Sequence, residues 1–270
     1  MKLFRKYPIM LCLPVIVLVL LVWTLWGNTA LTLTEYPVES ARLPASFDGF
    51  RIAQVSDLHN TEFGTDNKKL LTMLEDSQPD LITVTGDLLD SRRTDVDVAV
   101  DFLRQAVQIA PVYYVPGNHE SRIPNDYAEL KTAMDALGVT ILENESLLWE
   151  QNGESFTITG LLDPDFGIPM PKHTAEGFHL VLSHRPELFD WYVGQKFGLV
   201  LTGHAHGGQF RLPCVGGLFS PHQGFFPEYD AGPYTKDSTT MIVSRGLGNS
   251  LFPLRFNNRP ELILITLESI

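Results

Sequence analysis

Five short apolar, β-branched runs punctuate the chain: Phe50–Val55, Leu81–Thr85, Val112–Val115, Phe178–Leu182 and Phe197–Leu201. Each has the length and composition of a strand. Helical spacing fills several of the gaps. Asn67–Asp76 places Leu70, Leu71 and Leu74 on one face, and Asp95–Ile109 does so with Val96, Val100, Leu103 and Val107. Pro124–Leu137 opens with proline, which a helix tolerates in its first turn. Leu147–Leu161 reads as a β-hairpin turning at Asn152-Gly153, and Thr240–Val243 and Leu262–Leu267 add strands near the end. Strands alternating with helices predict an α/β layered domain. Residues 210–235 break the rhythm. They are rich in Gly, Pro and Phe and read as a long loop, either a functional one or one packed on itself.

The N-terminus follows a different pattern. Pro8 to Trp26 is 19 residues without a charge. As a helix it spans roughly 28 Å, about the thickness of a bilayer's hydrocarbon core. Lys2, Arg5 and Lys6 precede it, and basic flanks stay in the cytoplasm. The expected organisation is a basic cytoplasmic tail (residues 1–7), a single-pass transmembrane signal anchor (8–26), a polar connector with an initial strand (27–48) and one extracytoplasmic domain (49–270) at the cell membrane. A cleaved signal peptide is the alternative, but the run is long for one. The best cleavage site, Asn28-Thr29-Ala30, has the wrong first residue.

Charge and cysteine content narrow the chemistry. The net charge is −12, and outside the first 26 residues 17 basic side chains face 32 acidic ones. So acidic a body repels polyphosphate backbones, which argues against nucleic-acid binding. The two cysteines, Cys12 and Cys214, leave the domain a single thiol, which excludes an internal disulfide and a cysteine-ligated zinc site.

Each apolar run ends in a residue type that binds metals. The five endings are Ser56-Asp57-Leu58-His59, Gly86-Asp87, Pro116-Gly117-Asn118-His119-Glu120, Ser183-His184 and Gly203-His204-Ala205-His206. Ligands of open α/β sheets bind beyond the carboxyl ends of strands, so five segments converge on one edge of the sheet. Asp57 and His59, like His204 and His206, are two apart and point to the same side of an extended segment. Glycines at 86, 117 and 203 allow sharp turns and close approach. Taken singly, each of these is ordinary turn or capping chemistry; the recurrence at the same end of every run predicts a metal site. Asp57, His59, Asp87, Asn118, His184, His204 and His206 are seven ligands, too many for one ion and enough for two that share a carboxylate. The mixed donors suit Mn above all, with Zn, Fe or Ni as alternatives, and such an ion pair can bind phosphoryl oxygens. His119 remains as a proton donor.

Together these motifs resemble the calcineurin-like metallophosphoesterase family. Gly203-His204-Ala205-His206-Gly207-Gly208-Gln209, Gly246-Leu247-Gly248-Asn249-Ser250, Pro253 and Arg255 are similar to its membrane-anchored bacterial, YkuE-like branch. The resemblance implies a two-sheet α/β/β/α sandwich with a dimetal site at its edge. Asp57, His59, Asp87 and His206 would hold one ion, and Asp87, Asn118, His184 and His204 the other. His119 would be the general acid, and a metal-bridging hydroxide would attack phosphorus directly. The family's protein phosphatases carry arginines after the second motif and before Gly-Asn-His; here those places read Asp90-Ser91-Arg92 and Pro116. That departure favours phosphodiesters or pyrophosphates over phosphoproteins. Arg185, Arg211 and Arg245 are substitute phosphate contacts or surface residues. The anchor and the Phe-rich loop point to a lipid-linked or cell-envelope substrate, and no obligate protein partner is expected. A non-catalytic protein-binding module of the same fold is the competing reading.

Overall fold

In the computed structural model, residues 8–172, 177–250 and 252–270 are described, with side chains from residue 13 onward. The basic tail expected over residues 1–7 lies outside the described residues. Helix α1 (Pro8–Thr29) is 22 residues long. Among the described residues, no helix is long and apolar enough to cross a membrane. The described part of α1 is nonetheless apolar on every side, and its side chains from Leu13 to Trp26 are largely exposed.

Strand β1 (Thr32–Ser40) follows and is the initial strand expected in the connector. It is part of the domain's sheet, because every residue from Thr32 to Ser40 pairs with one from Glu261 to Ser269. Next come β2 (Arg51–Val55), α2 (Lys68–Asp76), β3 (Leu81–Thr85), α3 (Val96–Ala106), β4 (Val112–Val115), α4 (Asn118–Arg122), α5 (Pro124–Leu137) and β5 (Thr140–Ile141). The hairpin is β6 (Ser146–Gln151) and β7 (Glu154–Gly160), turning at Asn152-Gly153 as expected. Then follow β8 (His179–Leu182), α6 (Phe189–Gly194) and β9 (Leu199–Thr202). The Gly/Pro/Phe-rich stretch forms two small hairpins, β10 (Arg211–Leu212) with β11 (Gly216–Gly217) and β12 (Phe219–Ser220) with β13 (Gly224–Phe225). Last are β14 (Gly232–Lys236), β15 (Thr239–Val243) and β16 (Glu261–Ser269).

The strands form two mixed six-stranded sheets, ordered β1-β16-β2-β3-β4-β5 and β14-β15-β9-β8-β7-β6. Three apolar layers hold them. Ile52, Leu81, Leu180, Leu182, Leu199, Leu201, Ile263 and Ile265 fill the space between the sheets. Ala53, Val55, Ile82 and Val84 face outward onto Leu70, Leu74, Phe102, Leu103 and Leu130 of α2, α3 and α5. Val181 and Val200 face outward onto Phe189 and Tyr192 of α6. Successive residues of β2, β3, β8 and β9 thus enter different layers, which explains why these strands read as unbroken apolar runs. The architecture is the α/β/β/α sandwich that the resemblance implied. The five runs do not share a single sheet, however: β2, β3 and β4 belong to the first and β8 and β9 to the second. Gln54 ties the sheets near their ends, its Nε2 donating to Thr85 Oγ1 (3.0 Å) and to the Thr202 carbonyl (2.9 Å).

Residues 32–48 contribute Val38, Leu43 and Phe47 to the layer between the sheets. A chain starting at residue 27, which keeps the Asn28 contacts to Arg255 and Asn249, is therefore expected to unfold in urea near the midpoint of the full chain. One starting at residue 49 is expected to lose about 5 kcal/mol or more, at roughly 1.5–3 kcal/mol per buried large side chain. Equal midpoints would show that β1 contributes nothing to the domain.

Candidate metal centre

The carboxyl ends of β2, β3, β4, β8 and β9 meet where the two sheets come together, and all eight residues singled out in the sequence converge there. Five of them have left-handed backbone: Asp57 (φ 51°), His59 (φ 47°), Asp87 (φ 51°), His204 (φ 64°) and His206 (φ 47°). The pairs two apart are therefore not aligned by strand alternation, as their spacing predicted. Each is turned individually, while Leu58 and Ala205 between them sink into the cores. Non-glycine residues adopt this conformation at a cost, and they cluster at functional sites. Two glycines make room. Gly86 has φ 84°, and a Cβ there would lie 2.6 Å from His184 Nδ1; a Cβ on Gly203 would overlap Ser56 Oγ and Asp57 Oδ2.

The carboxylates are divided between holding the scaffold and facing the site. Asp57 Oδ2 accepts from Ser56 Oγ (2.6 Å), the His204 N–H is shared between Oδ1 and Oδ2 (3.1 Å to each), and Oδ1 also stands 3.4 Å from His206 Nε2. Asp87 Oδ1 accepts the His119 N–H (2.8 Å), which leaves Oδ2 3.7 Å from His59 Nε2 and 3.2 Å from His184 Nε2. Two buried groups result, Asp57 with His59 and His206, and Asp87 with His184 and His204, and Asp87 reaches into both.

The donor set itself fits a cation. His184 Nδ1 donates to the Thr85 carbonyl (2.8 Å), so its Nε2 faces inward toward Asp87 Oδ2, His204 Nδ1 (3.1 Å) and Asn118 Oδ1 (3.2 Å). Turning the Asn118 amide over would aim its NH₂ at these two histidines. That would also turn its oxygen to the Arg122 guanidinium, so the side chain can face the histidines with either its NH₂ or, beside a cation, its oxygen. Protonation fits the same picture. Burial lowers His59 to about 3 and holds His204 and His206 well below their ordinary range, so these three are neutral. Burial raises Asp57 to about 6. It opposes charge on Asp87 and His184 as well, but their mutual attraction prevails; Asp87 stays well below the usual carboxylate range and His184 is pushed up to about 10. In the ion-free chain, a proton on His184 thus takes the place of a cation.

Several residues complete the site although the sequence reading gave them no part. Glu120, fully buried, accepts the backbone N–H groups of Asp87 (3.1 Å), Leu89 (3.0 Å) and Gly117 (2.9 Å), locking the loops after β3 and β4 together. Burial, reinforced by Asp87, raises it to about 7. Asp90 lies 3.7 Å from His119 Nδ1, which also accepts the Ser91 N–H (3.0 Å). His119 Nε2 meets Ser250 Oγ at 3.1 Å. His222, from the loop after β12, stands 2.8 Å from His204 Nε2. The one local signal for Glu120 and Asp90 was adjacency to the motifs; Ser250 and His222 arrive through tertiary packing. A cavity of about 550 Å³ opens over the site, lined by Arg92, Arg122, His119 and Asn118 and by the apolar Phe210, Leu218, Phe219, Phe225 and Phe252. Arg185, Arg211 and Arg245 are engaged in ion pairs with Asp163, Asp230 and Glu261. Arg92, by contrast, makes no ion pair among the described residues.

Glu120→Ala would strand three buried N–H groups at about 1–3 kcal/mol each. The expected result is a clear drop in the unfolding midpoint together with reduced metal retention after dialysis. An unchanged midpoint would mean the clamp is dispensable.

Comparison with known proteins agrees with this geometry. The calcineurin-like phosphoesterase family model matches residues 50–208, more than half of the chain. The metallophosphoesterase YkuE of Bacillus subtilis (strain 168) is 33% identical over 248 residues, covering 87% of this chain and 85% of that protein. The phosphodiesterase YaeI of Escherichia coli (strain K12) is 30% identical over 229 residues, covering 81% and 82%. A Danio rerio protein described as a transmembrane protein with metallophosphoesterase domain is 28% identical over 255 residues; the match covers 87% of this chain and 56% of that protein. The buried Asp/His groups fit a metal site, and the chain belongs to the calcineurin-like phosphoesterase family as a metal-dependent phosphoesterase.

Proposed function

We propose that the chain hydrolyses phosphodiester or pyrophosphate bonds with two divalent transition-metal ions, Mn foremost and Zn, Fe or Ni as alternatives. The observation that carries this reading is the position of Asp87 Oδ2, within 3.7 Å of His59 Nε2 and 3.2 Å of His184 Nε2. Asp57, His59, His206 and Asp87 would hold one ion; Asp87, Asn118, His184 and His204 would hold the other. When bound, such a pair makes water nucleophilic at neutral pH and neutralises charge on phosphoryl oxygens. The chain's own groups do the rest. The Ser91 N–H occupies His119 Nδ1, which fixes the proton of the neutral ring on Nε2, the nitrogen turned toward Ser250 in the cavity wall. From there it can hydrogen-bond to a leaving oxygen, and the proton passes across once Nδ1, 3.7 Å from Asp90, takes up a second one, so that the ring ends neutral. Arg92, which lines the cavity, can meet the rest of the phosphoester, whereas Arg122 lies 3.6 Å from Asp165.

The preference for diesters rests on the ion-paired state of Arg185, Arg211 and Arg245 and on similarity to a protein named as a phosphodiesterase. The reading extends to a lipid-linked or cell-envelope substrate and to a single-pass anchor over residues 8–26, with the domain outside the cytoplasm. Its support is the uncharged, exposed helix α1, the basic residues before it, the apolar residues lining the cavity and a relative described as a transmembrane protein.

Purified chain loaded with Mn is expected to bind about two ions and to cleave bis-p-nitrophenyl phosphate. Asp87→Ala should abolish turnover and lower metal content; undiminished turnover in it would refute the proposal. His119→Ala should keep both ions while kcat falls about 10²–10⁴-fold, the usual contribution of a proton donor. Metal uptake at pH 8 should release a proton, because His184 gives its lone pair to the ion only after losing the proton that Asp87 holds there. Calorimetric titration in buffers of different ionisation enthalpy measures this release. Identical heats in all buffers would contradict it.

A further inference from the structure

Outside α1, ten large apolar side chains are exposed among the described residues, and seven of them come from just two segments, 212–226 and 252–254. Scattered exposed apolar residues are ordinary, but a contiguous group marks an interaction surface. Residues 212–226 contain no Asp, Glu, Lys or Arg in a chain that is 19% charged. The two segments are joined. Gln209 Nε2 donates to the carbonyls of Phe252 (3.1 Å) and Leu254 (2.7 Å), and the Phe210 ring packs edge-on against Phe252 at 5.7 Å. Phe219, Phe225 and Phe252 also line the cavity over the metal centre, so the patch is the cavity's outer lip.

Helix α1 leaves the domain beside this lip, and its exit is fixed. Asn28 Oδ1 accepts the Arg255 N–H (2.8 Å) and Asn28 Nδ2 donates to the Arg255 carbonyl (2.9 Å), one residue after Leu254. Asn249 Nδ2 donates to Asn28 Oδ1 (3.2 Å), and the Arg259 guanidinium lies 4.9 Å from the centre of the Trp26 ring. Arg255 is itself buried and continues into the site, its Nε donating to Asn249 Oδ1 (2.8 Å) and its Nη2 standing 3.3 Å from His206 Nδ1. A flexible tether would need none of these contacts. They hold the apolar helix and the apolar lip on one side of the domain.

We propose that the lip docks into the surface of the bilayer that α1 enters, with Phe219, Phe225, Phe226, Phe252 and Leu254 in the interface and the cavity mouth open to the lipid. This rests on the reading of α1 as a membrane anchor and needs nothing from the hydrolytic reading. Tethering by α1 makes insertion intramolecular, so the lip can remain engaged although the domain's net negative charge opposes an anionic surface. A phosphoester headgroup could then reach the ions while its chain stays among the other lipids.

The native Cys214 is exposed between Leu212 and Val215 and provides a probe site. The full chain carrying Cys12→Ser, labelled at Cys214 with the environment-sensitive dye NBD, is placed in nanodiscs of phosphatidylcholine and phosphatidylglycerol. A companion carries Cys214→Ser and the dye at Ser238→Cys. Ser238 is exposed in the turn between β14 and β15, at the opposite end of the strands from the site. The Cys214 probe is expected to shift to the blue and lose about half its emission to bromine on the acyl chains, as groups buried 5–10 Å into the interface do. The Ser238→Cys probe should do neither. Asn28→Ala, which removes both bonds to Arg255, should weaken quenching while the chain still migrates with the discs. Phe226→Asp with Leu254→Asp should abolish quenching and slow cleavage of a phosphodiester lipid in the same discs about tenfold, the effect of losing about 1.4 kcal/mol. Cleavage of soluble bis-p-nitrophenyl phosphate should not change; Phe226 already has φ 56°, a conformation aspartate tolerates. A chain that migrates with the discs while its Cys214 probe stays unquenched overturns the docking. So does a lipid-free dimer, seen by light scattering, that already shields the probe. A chain that does not enter the discs overturns both the anchor and the docking, and leaves hydrolysis of soluble diesters standing.

Discussion

His184 turns one nitrogen to the Thr85 carbonyl and so aims the other at Asp87, Asn118 and His204. Everything at the junction of the sheets depends on that concentration of inward-facing lone pairs. Such a cluster in a dry interior is repulsive unless positive charge enters it. A proton shared between His184 and Asp87 is the smallest charge that will serve. A pair of divalent ions would satisfy all the donors at once, including Asp57, His59 and His206 on the far side of Asp87. The residues around the site prepare for this. Ser56 binds one oxygen of Asp57 and the His204 N–H is shared between both, while the His119 N–H binds Oδ1 of Asp87 and leaves its Oδ2 to the site.

This arrangement is held against strain. Five of the inward-facing residues have left-handed backbone, at a cost of order 1–2 kcal/mol each for L-residues. The surrounding fold enforces it. Glu120 gathers three N–H groups from two loops, Gly86 and Gly203 admit neighbours that a Cβ would exclude, and Leu58 and Ala205 are seated in opposite cores. Because β2, β3 and β4 come from one sheet and β8 and β9 from the other, the layer between the sheets and the Gln54 cross-link set the distance between the two halves of the site. Packing far from the ions therefore controls the geometry at them.

Much of this was legible in the chain because two-sided burial leaves a mark. β3 and β4 have the limits their apolar runs predicted, and every ligand candidate sits directly after such a run. Other features leave no such mark. The alternation of β2, β8 and β9 between layers is invisible when both faces are apolar, so the runs could not be apportioned between two sheets. A spacing of two fits extended backbone as well as the left-handed turns at Asp57, His59, His204 and His206, so the sequence does not distinguish them. α6 is six residues long and β5 two, too short for periodicity to register. Arg92, Arg122, Ser250 and Arg255 acquire their places only when distant loops fold over the site.

The apolar helix and the apolar lip give the metal centre its setting, but the centre is the claim on which the rest is built. Electron paramagnetic resonance of the Mn(II)-loaded full chain tests it most directly, since exchange coupling requires ions that share a ligand such as Asp87. The account predicts an exchange-coupled dimanganese spectrum that is lost in Asp87→Ala. A spectrum of isolated Mn(II) alone, at any loading, would contradict it.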